Sequence, residues 1–144
     1  MNNIIQSIVN SKHLAVVGVS DNKFGGAIYK TLKKRGYSVY PVHPSHKFFD
    51  NDKCYANLDQ LPENIESAIF AVSPNVSEQI IEQMKNSTIT QIWFQQGNLY
   101  TIAEEKAQLR GIQTVSGKCI LMYAEPVGGI HALHRFFSKL TRNY

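Results

Sequence analysis

Leu14-Ala15-Val16-Val17 is a run of four apolar residues with no polar alternation, and it leads directly into Gly18-Val19-Ser20. Such a run reads as a strand covered on both faces, the kind found in a parallel sheet held between helices. The stretch that follows, Asp21-Asn22-Lys23-Phe24-Gly25-Gly26, is rich in glycine, and Ala27 to Arg35 then has helical spacing. A strand, a glycine-rich turn and a helix N-terminus, in that order, present backbone N–H groups to a phosphate.

The rest of the chain repeats the alternation. Ile4, Ile5, Ile8 and Val9 recur at helical spacing and predict a short helix over residues 2–10. Strand one is Leu14 to Gly18. The helix after it, from about Gly26, puts Ile28 and Leu32 on one face and stops at Gly36, a suitable left-handed cap. Ser38 to Val42 is the second strand, and Pro41 within it argues for a sheet edge or a strand end. Residues 45–64 are polar, with Tyr55, Leu58 and Leu61 as the periodic apolar set, so a loop and one short helix are expected.

Ser67 to Val72 is the third strand. Asn75 with Glu78 forms a capping pair for a helix lined by Val76, Ile80, Ile81 and Met84. Thr90 to Phe94 is the fourth strand, and Thr101 with Glu104 reads as a capping box for a helix ending at Gly111. Ile112 to Val115 is the fifth strand. A last helix, about 129–140, carries Ile130, Leu133, Phe137 and Leu140 on one stripe. Strands alternating with helices of this length predict an α/β fold: a Rossmann-like, doubly wound parallel sheet of about five strands in a three-layer αβα arrangement, with residues 1–144 as a single domain.

With 43% hydrophobic and 18% charged residues, the 144-residue chain has a globular composition. No apolar run approaches the roughly 20 residues of a membrane span, and Met1 to Ser11 lacks the charged start of a secretory signal. Cys54 and Cys119 have no CxxC spacing. A cytoplasmic protein with free thiols and no membrane partner is expected. The net charge is +4, and the densest basic cluster, Lys33-Lys34-Arg35, lies at a helix end where cations complement the dipole. That pattern does not suggest a nucleic-acid surface.

In an open α/β sheet, ligands bind beyond the carboxyl ends of the strands. Here those ends are Gly18-Val19-Ser20, Val42-His43-Pro44, Val72-Ser73-Pro74 and Phe94-Gln95-Gln96-Gly97. The dinucleotide fingerprint G-x-G-x-x-G is absent: Ser20 stands at its second glycine, and Gly25 and Gly26 come too late. The acidic residue that would hold a ribose 2′-OH is missing, and His43 is a poor substitute for the arginine that would hold a 2′-phosphate. The P-loop pattern is missing too. What remains is a phosphate-binding turn containing Lys23, suited to a pyrophosphate-bearing nucleotide of another kind.

Five ordered motifs then bring a family into view: Gly18-Val19-Ser20-x-x-Lys23-Phe24-Gly25-Gly26; Gly36-Tyr37-x-Val39-Tyr40-Pro41-Val42-x-Pro44; Val72-Ser73-Pro74; Ile92-Trp93-Phe94-Gln95-Gln96-Gly97; and Lys118-Cys119. Together, over about residues 5 to 125, they resemble the small stand-alone CoA-binding domain proteins, which are similar to the CoA-binding domain of succinyl-CoA synthetase's alpha subunit. The resemblance implies a coenzyme A ligand whose pyrophosphate lies on the Gly18-Val19-Ser20 turn, with Lys23 assisting and Phe24 and Gly25 in the same loop. It places the adenosine end between Val42-His43-Pro44 and Val72-Ser73-Pro74, with Gln95 and Gly97 bordering the pantetheine arm. His43 stands where the family often has a polar amide, and residues 45–53 lack the family's usual glycine turn.

Several residues keep two readings. Cys119 is either a thiol facing the cleft or a small buried hydrophobe. His131 and His134 share a helix face, as a metal pair would, or they edge the apolar stripe of the last helix at a packing or homodimer surface. No Ser–His–Asp order or paired carboxylates stand out. The expectation is a CoA-binding module without catalytic residues of its own. The competing classes are an NAD(P)-dependent oxidoreductase, an enzyme using acyl-CoA with Cys119 or His131 as its reactive group, and a protein–protein adaptor.

Overall fold

The structure is a computed structural model that describes residues 3–11, 13–62 and 64–126. Helix α1 (Asn3–Asn10) leads into strand β1 (His13–Val17), helix α2 (Phe24–Lys34) and strand β2 (Ser38–Val42). A small hairpin follows, β3 (Phe48–Phe49) and β4 (Asp52–Lys53), then a 3-10 turn over Leu58–Gln60. The remainder is β5 (Ser67–Phe70), α3 (Pro74–Gln83), β6 (Gln91–Gln95), α4 (Thr101–Leu109), β7 (Gln113–Lys118) and a second 3-10 turn over Ile120–Met122. The expected last helix, with His131 and His134, lies outside the described residues.

Five strands form one parallel sheet in the order β2-β1-β5-β6-β7. This is the expected doubly wound arrangement: the chain moves out from β1 to β2, then crosses back to β5 on the other side. Successive side chains of a strand point to opposite faces, so the apolar runs divide into two cores. On one face, Leu14, Val16, Ile69 and Trp93 meet α1 and α2 through Ile5, Ile8, Ile28 and Leu32. On the other, Ala15, Val17, Ala68, Phe70 and Phe94 meet α3 and α4 through Ile81, Ala103 and Ala107. The three layers follow from that division.

Pro41 sits in the edge strand, as expected. Its carbonyl accepts from Tyr55 N–H at 2.8 Å on the open side, where a proline's missing N–H costs no ladder bond. The helix caps differ from expectation. Ser73, not Asn75, caps α3: its Oγ accepts from Val76 N–H at 3.3 Å, with Pro74 in the first turn. Thr101 is already inside α4, and Glu104 accepts from the Thr114 hydroxyl, so the expected capping box does not form.

Residues 45–53 hold a hairpin rather than a loop. Asp50 (φ 51°) and Asn51 (φ 67°) are both left-handed, the geometry of a two-residue turn that Asx residues tolerate without glycine. Phe49 packs edge-on against Tyr29 of α2, ring centroids 5.3 Å apart. The Tyr29 hydroxyl and Lys33 both donate to Asp52, and Lys33 also reaches Asp50 at 3.3 Å. Burial, then Asp52, pushes the Tyr29 hydroxyl far above its ordinary range. The basic cluster at the end of α2 is therefore more than a dipole complement. Lys33 pins the hairpin, and Arg35 donates to the Leu121 and Ala124 carbonyls at 2.8 Å each.

Candidate functional site

The tips of β1, β2 and β5 surround a cavity of about 620 Å³, in the size range of small-molecule sites. It lies where the strand order reverses, on the α3 side of the sheet. Gly18 sits at the meeting point with φ +98°. A Cβ there would stand 2.6 Å from a Val72 methyl and 2.8 Å from the Ala71 carbonyl oxygen, so only glycine lets the turn after β1 pass this close to β5.

The glycines after it have another role than the one read from sequence. Gly25 and Gly26 belong to the first turn of α2, which begins at Phe24, not beyond the glycines. Cβ atoms on them would overlap the carbonyl oxygens of Gly18 and Ser20 respectively. They serve close packing of the helix start against the turn, rather than a sharp bend.

Two N–H groups of the turn are already used: Gly18 donates to the Val42 carbonyl at 3.1 Å, and Lys23 to the Ser20 carbonyl at 3.1 Å. Among the described residues, the N–H groups of Ser20, Phe24 and Gly25 have no such backbone acceptor. The residue preceding α2 is Lys23, whose side chain does not cap the helix. An uncapped helix start beside an exposed lysine, opening on a cavity, favours an anion electrostatically.

Of the residues expected at a site, Gly18, Ser20, Lys23, Val42, His43, Pro44, Val72 and Ser73 line this one cavity. Val19 is fully buried and packs in the core on the α1 and α2 face of the sheet, away from the cavity. Phe24 is 55% exposed and lies outside the cavity, as do Gly25 and Pro74. Gln95 lies elsewhere too: it is buried, and its side-chain oxygen accepts from Ile120 N–H at 3.0 Å. Gly97 has φ +118° and open space around its missing Cβ. Cys119 is half-buried just before the turn at Ile120.

The wall formed by α3 and by residues 56–59 was not read from sequence. Val76, Gln79, Ile80 and Gln83 share one face of α3 and line the cavity. The expected core stripe splits: Ile81 and Met84 are buried, while Val76 is 41% exposed and Ile80 is partly buried. A mixed stripe of glutamines and aliphatics at i, i+3, i+4 and i+7 was the available signal. Asn57 and Asp59 face α3 across the cavity. The Asp59 carboxylate accepts from Lys85 N–H at 3.1 Å and Asn86 N–H at 3.1 Å, which ties residues 56–59 to the end of α3.

His43 sits between these walls. Its N–H donates to the Tyr55 carbonyl at 2.9 Å, and its ring Nδ1 accepts from Ser45 N–H at 3.0 Å. The His46 ring stacks on it, centroids 3.9 Å apart and planes 23° apart. Burial, and then the neighbouring His46, hold the His43 imidazole below its ordinary pKa.

A parallel α/β sheet with an open helix start at its switch point defines a class of nucleotide-phosphate-binding domain. Within that class, residues 12–125 match the CoA binding domain family, and the chain belongs to it. It is similar to a hypothetical protein from Pyrococcus horikoshii OT3, with TM-score 0.76 and 29% identity over 87% of this chain and 90% of that one. A conserved hypothetical protein from Pyrococcus furiosus has TM-score 0.69 and 30% identity, over 75% of this chain and 95% of that one. Among curated proteins, the chain is 24% identical over 142 residues to ADP-forming acetate–CoA ligase I of Archaeoglobus fulgidus, covering 90% of this chain. It spans about a fifth (20%) of that ligase's length. No helix of the described residues is long and apolar enough to cross a membrane.

Proposed function

We propose that the chain binds coenzyme A or an acyl-CoA, and that it is a binding module without catalytic groups of its own. One observation carries the reading: the uncapped start of α2 and Lys23 open on the same cavity at the strand tips. The ligand's diphosphate lies against the N–H groups of Ser20, Phe24 and Gly25, with the Lys23 ammonium closing on it. The adenosine enters the cavity between His43-Pro44 and Ser73, its base against Val42, Val72, Val76 and Ile80. The pantetheine arm leaves in the direction of Gly97. That the chain matches the CoA binding domain family and spans only a fifth of an acetate–CoA ligase supports the reading of a binding module.

The test is thermal unfolding with CoA, acetyl-CoA, NAD and NADP. A ligand present at about 100 times its Kd stabilises the folded state by about 2.7 kcal/mol, a rise of several degrees for a domain of this size. A rise with CoA or acetyl-CoA alone supports the reading. A rise with NADP alone replaces it with an oxidoreductase, and no rise with any of the four at millimolar concentration ends it.

A further inference from the structure

We propose that the stacked His43–His46 pair is a subsite for the phosphomonoester of the bound nucleotide, and that it takes up a proton as that group arrives. The inference rests on the CoA reading, because CoA carries a 3′-phosphate on its ribose in addition to its diphosphate.

Charge places the second phosphate. Among the described residues, the titratable side chains that line the cavity are Lys23, His43 and Asp59. Lys23 stands beside the helix start, where the diphosphate lies. Asp59 is a carboxylate that already accepts backbone N–H bonds from Lys85 and Asn86, and it repels a second anion. His43 is the remaining lining group able to become cationic, and His46, stacked on it from the same loop, offers a second imidazole for the one proton.

His43 is built to be neutral while the cavity is empty. Nδ1 of His43 accepts from Ser45 N–H, so the ring's own proton sits on Nε2 and is available for donation. A second proton on His43 would turn Nδ1 into a donor facing the Ser45 donor. Two charged rings with centroids 3.9 Å apart would also repel, so the stack accommodates at most about one extra proton. Around it stand Lys47 on the same loop, the Cys54 thiol against the His43 backbone, and Lys53, which lies over the Tyr55 ring. Lys23 and Asp59 complete the set from the other walls. The one charge that weighs on His43 is His46.

A phosphomonoester dianion reverses this balance. It attracts one proton, released by an acid of the buffer, to the open nitrogen of the His46 ring, forming an N–H bond there and leaving a cation beside the dianion. The Nε2–H of His43 then donates within a charge-assisted contact. No other bond is made or broken. Binding is thereby linked to pH, and it favours the 3′-phosphorylated nucleotide over the same molecule without that phosphate.

The experiment is calorimetric titration with CoA and with dephospho-CoA at pH 7.5, in two buffers of different ionisation enthalpy. At that pH a phosphomonoester is already mostly a dianion, its second pKa being about 6, so uptake reports on the protein. CoA binding is expected to take up a measurable fraction of a proton, dephospho-CoA binding none, and CoA to bind about tenfold tighter. His43→Asn and His46→Ala should each bring the affinity ratio towards unity and abolish the uptake. Circular dichroism and the melting temperature of each variant show whether it is folded. Equal affinities and equal proton counts for the two nucleotides overturn the inference and leave the CoA reading standing. Uptake undiminished in both variants overturns it as well, and binding of neither nucleotide overturns both readings.

Discussion

Gly26 and the carbonyl oxygen of Ser20 are so close that a Cβ on Gly26 would overlap that oxygen. The first turn of α2 therefore lies on the Gly18–Lys23 turn with no space for a side chain between them. Ser20 also accepts from Lys23 N–H, so its carbonyl cannot swing away without opening the turn.

Gly26→Ala opposes two effects. Alanine is favoured over glycine inside a helix by about 1 kcal/mol. Against that, overpacking costs typically 1–3 kcal/mol, and an obstacle that is backbone rather than the end of a mobile side chain puts this case in the upper half of that range, about 2–3 kcal/mol. We expect a net loss of about 1–2 kcal/mol in a urea titration, with a weaker CoA response because the N–H groups of Phe24 and Gly25 are displaced. A variant as stable as the parent, with unchanged binding, would contradict this packing.

Lys23→Ala isolates the charge at the same place. Lys23 is exposed and has no ion pair among the described residues. Its removal should leave stability within about 0.5 kcal/mol of the parent. Losing a contact to a charged phosphate costs about 1.5–3 kcal/mol, so CoA should bind roughly tenfold or more weakly. Unchanged affinity by calorimetry would remove Lys23 from the site.

Asp52 predicts a pH dependence. Burial raises its pKa, but the hydrogen bonds from Lys33 and Tyr29 together outweigh burial and hold the carboxyl below its ordinary range. A folded-state pKa below the unfolded one contributes stability above the unfolded value, about 4, and that contribution drains away as pH falls through the folded value. Asp52 is 37% exposed at its side chain, so the contribution is discounted to about 1 kcal/mol. Asp52→Asn should be less stable than the parent by about that much from pH 5 to 8, and the gap should close below about pH 4. A gap that persists unchanged at pH 3 would show that the Lys33 and Tyr29 bonds do not set it.

Tyr100 links the second core to the cavity wall. It is 4% exposed, stacks on Phe94 with centroids 4.9 Å apart, and donates its hydroxyl to the Val72 carbonyl at 2.9 Å. Tyr100→Phe keeps the ring and leaves that carbonyl without its donor. We expect a loss of about 1 kcal/mol in unfolding free energy, read as a lower midpoint in a urea titration. CoA affinity should fall by less than in Lys23→Ala, because the change loosens Val72 without removing a charge.

Much of the architecture was legible because it follows from local chemistry. The unbroken run at Leu14 to Val17 dictates a strand buried on both faces, and helices spaced between such strands dictate a parallel sheet. Pro41 announces the edge strand. Gly18, Val42-His43-Pro44 and Val72-Ser73 could be picked out because strand tips in this architecture converge whatever the side chains are, and the five motifs pointed to the family to which the chain belongs.

Other features depend on residues distant in sequence. The hairpin at Phe48–Lys53 exists because Phe49, Asp50 and Asp52 find Tyr29 and Lys33 on α2, and no property of residues 45–53 alone reveals those partners. The caps moved because Ser73 and Asn75 are both competent, and the position where β5 ends chooses between them. The glutamine face of α3 looks like solvent until the turn at Leu58–Gln60 stands opposite it. In the same way, His43 and His46 become a stacked pair only when Ser45 and Tyr55 fix the loop between them. Hydrophobic periodicity is a near-neighbour property and survives in one dimension. A cavity is the space between elements far apart in the chain, so its walls, charge balance and available N–H groups are settled only when the packing is complete.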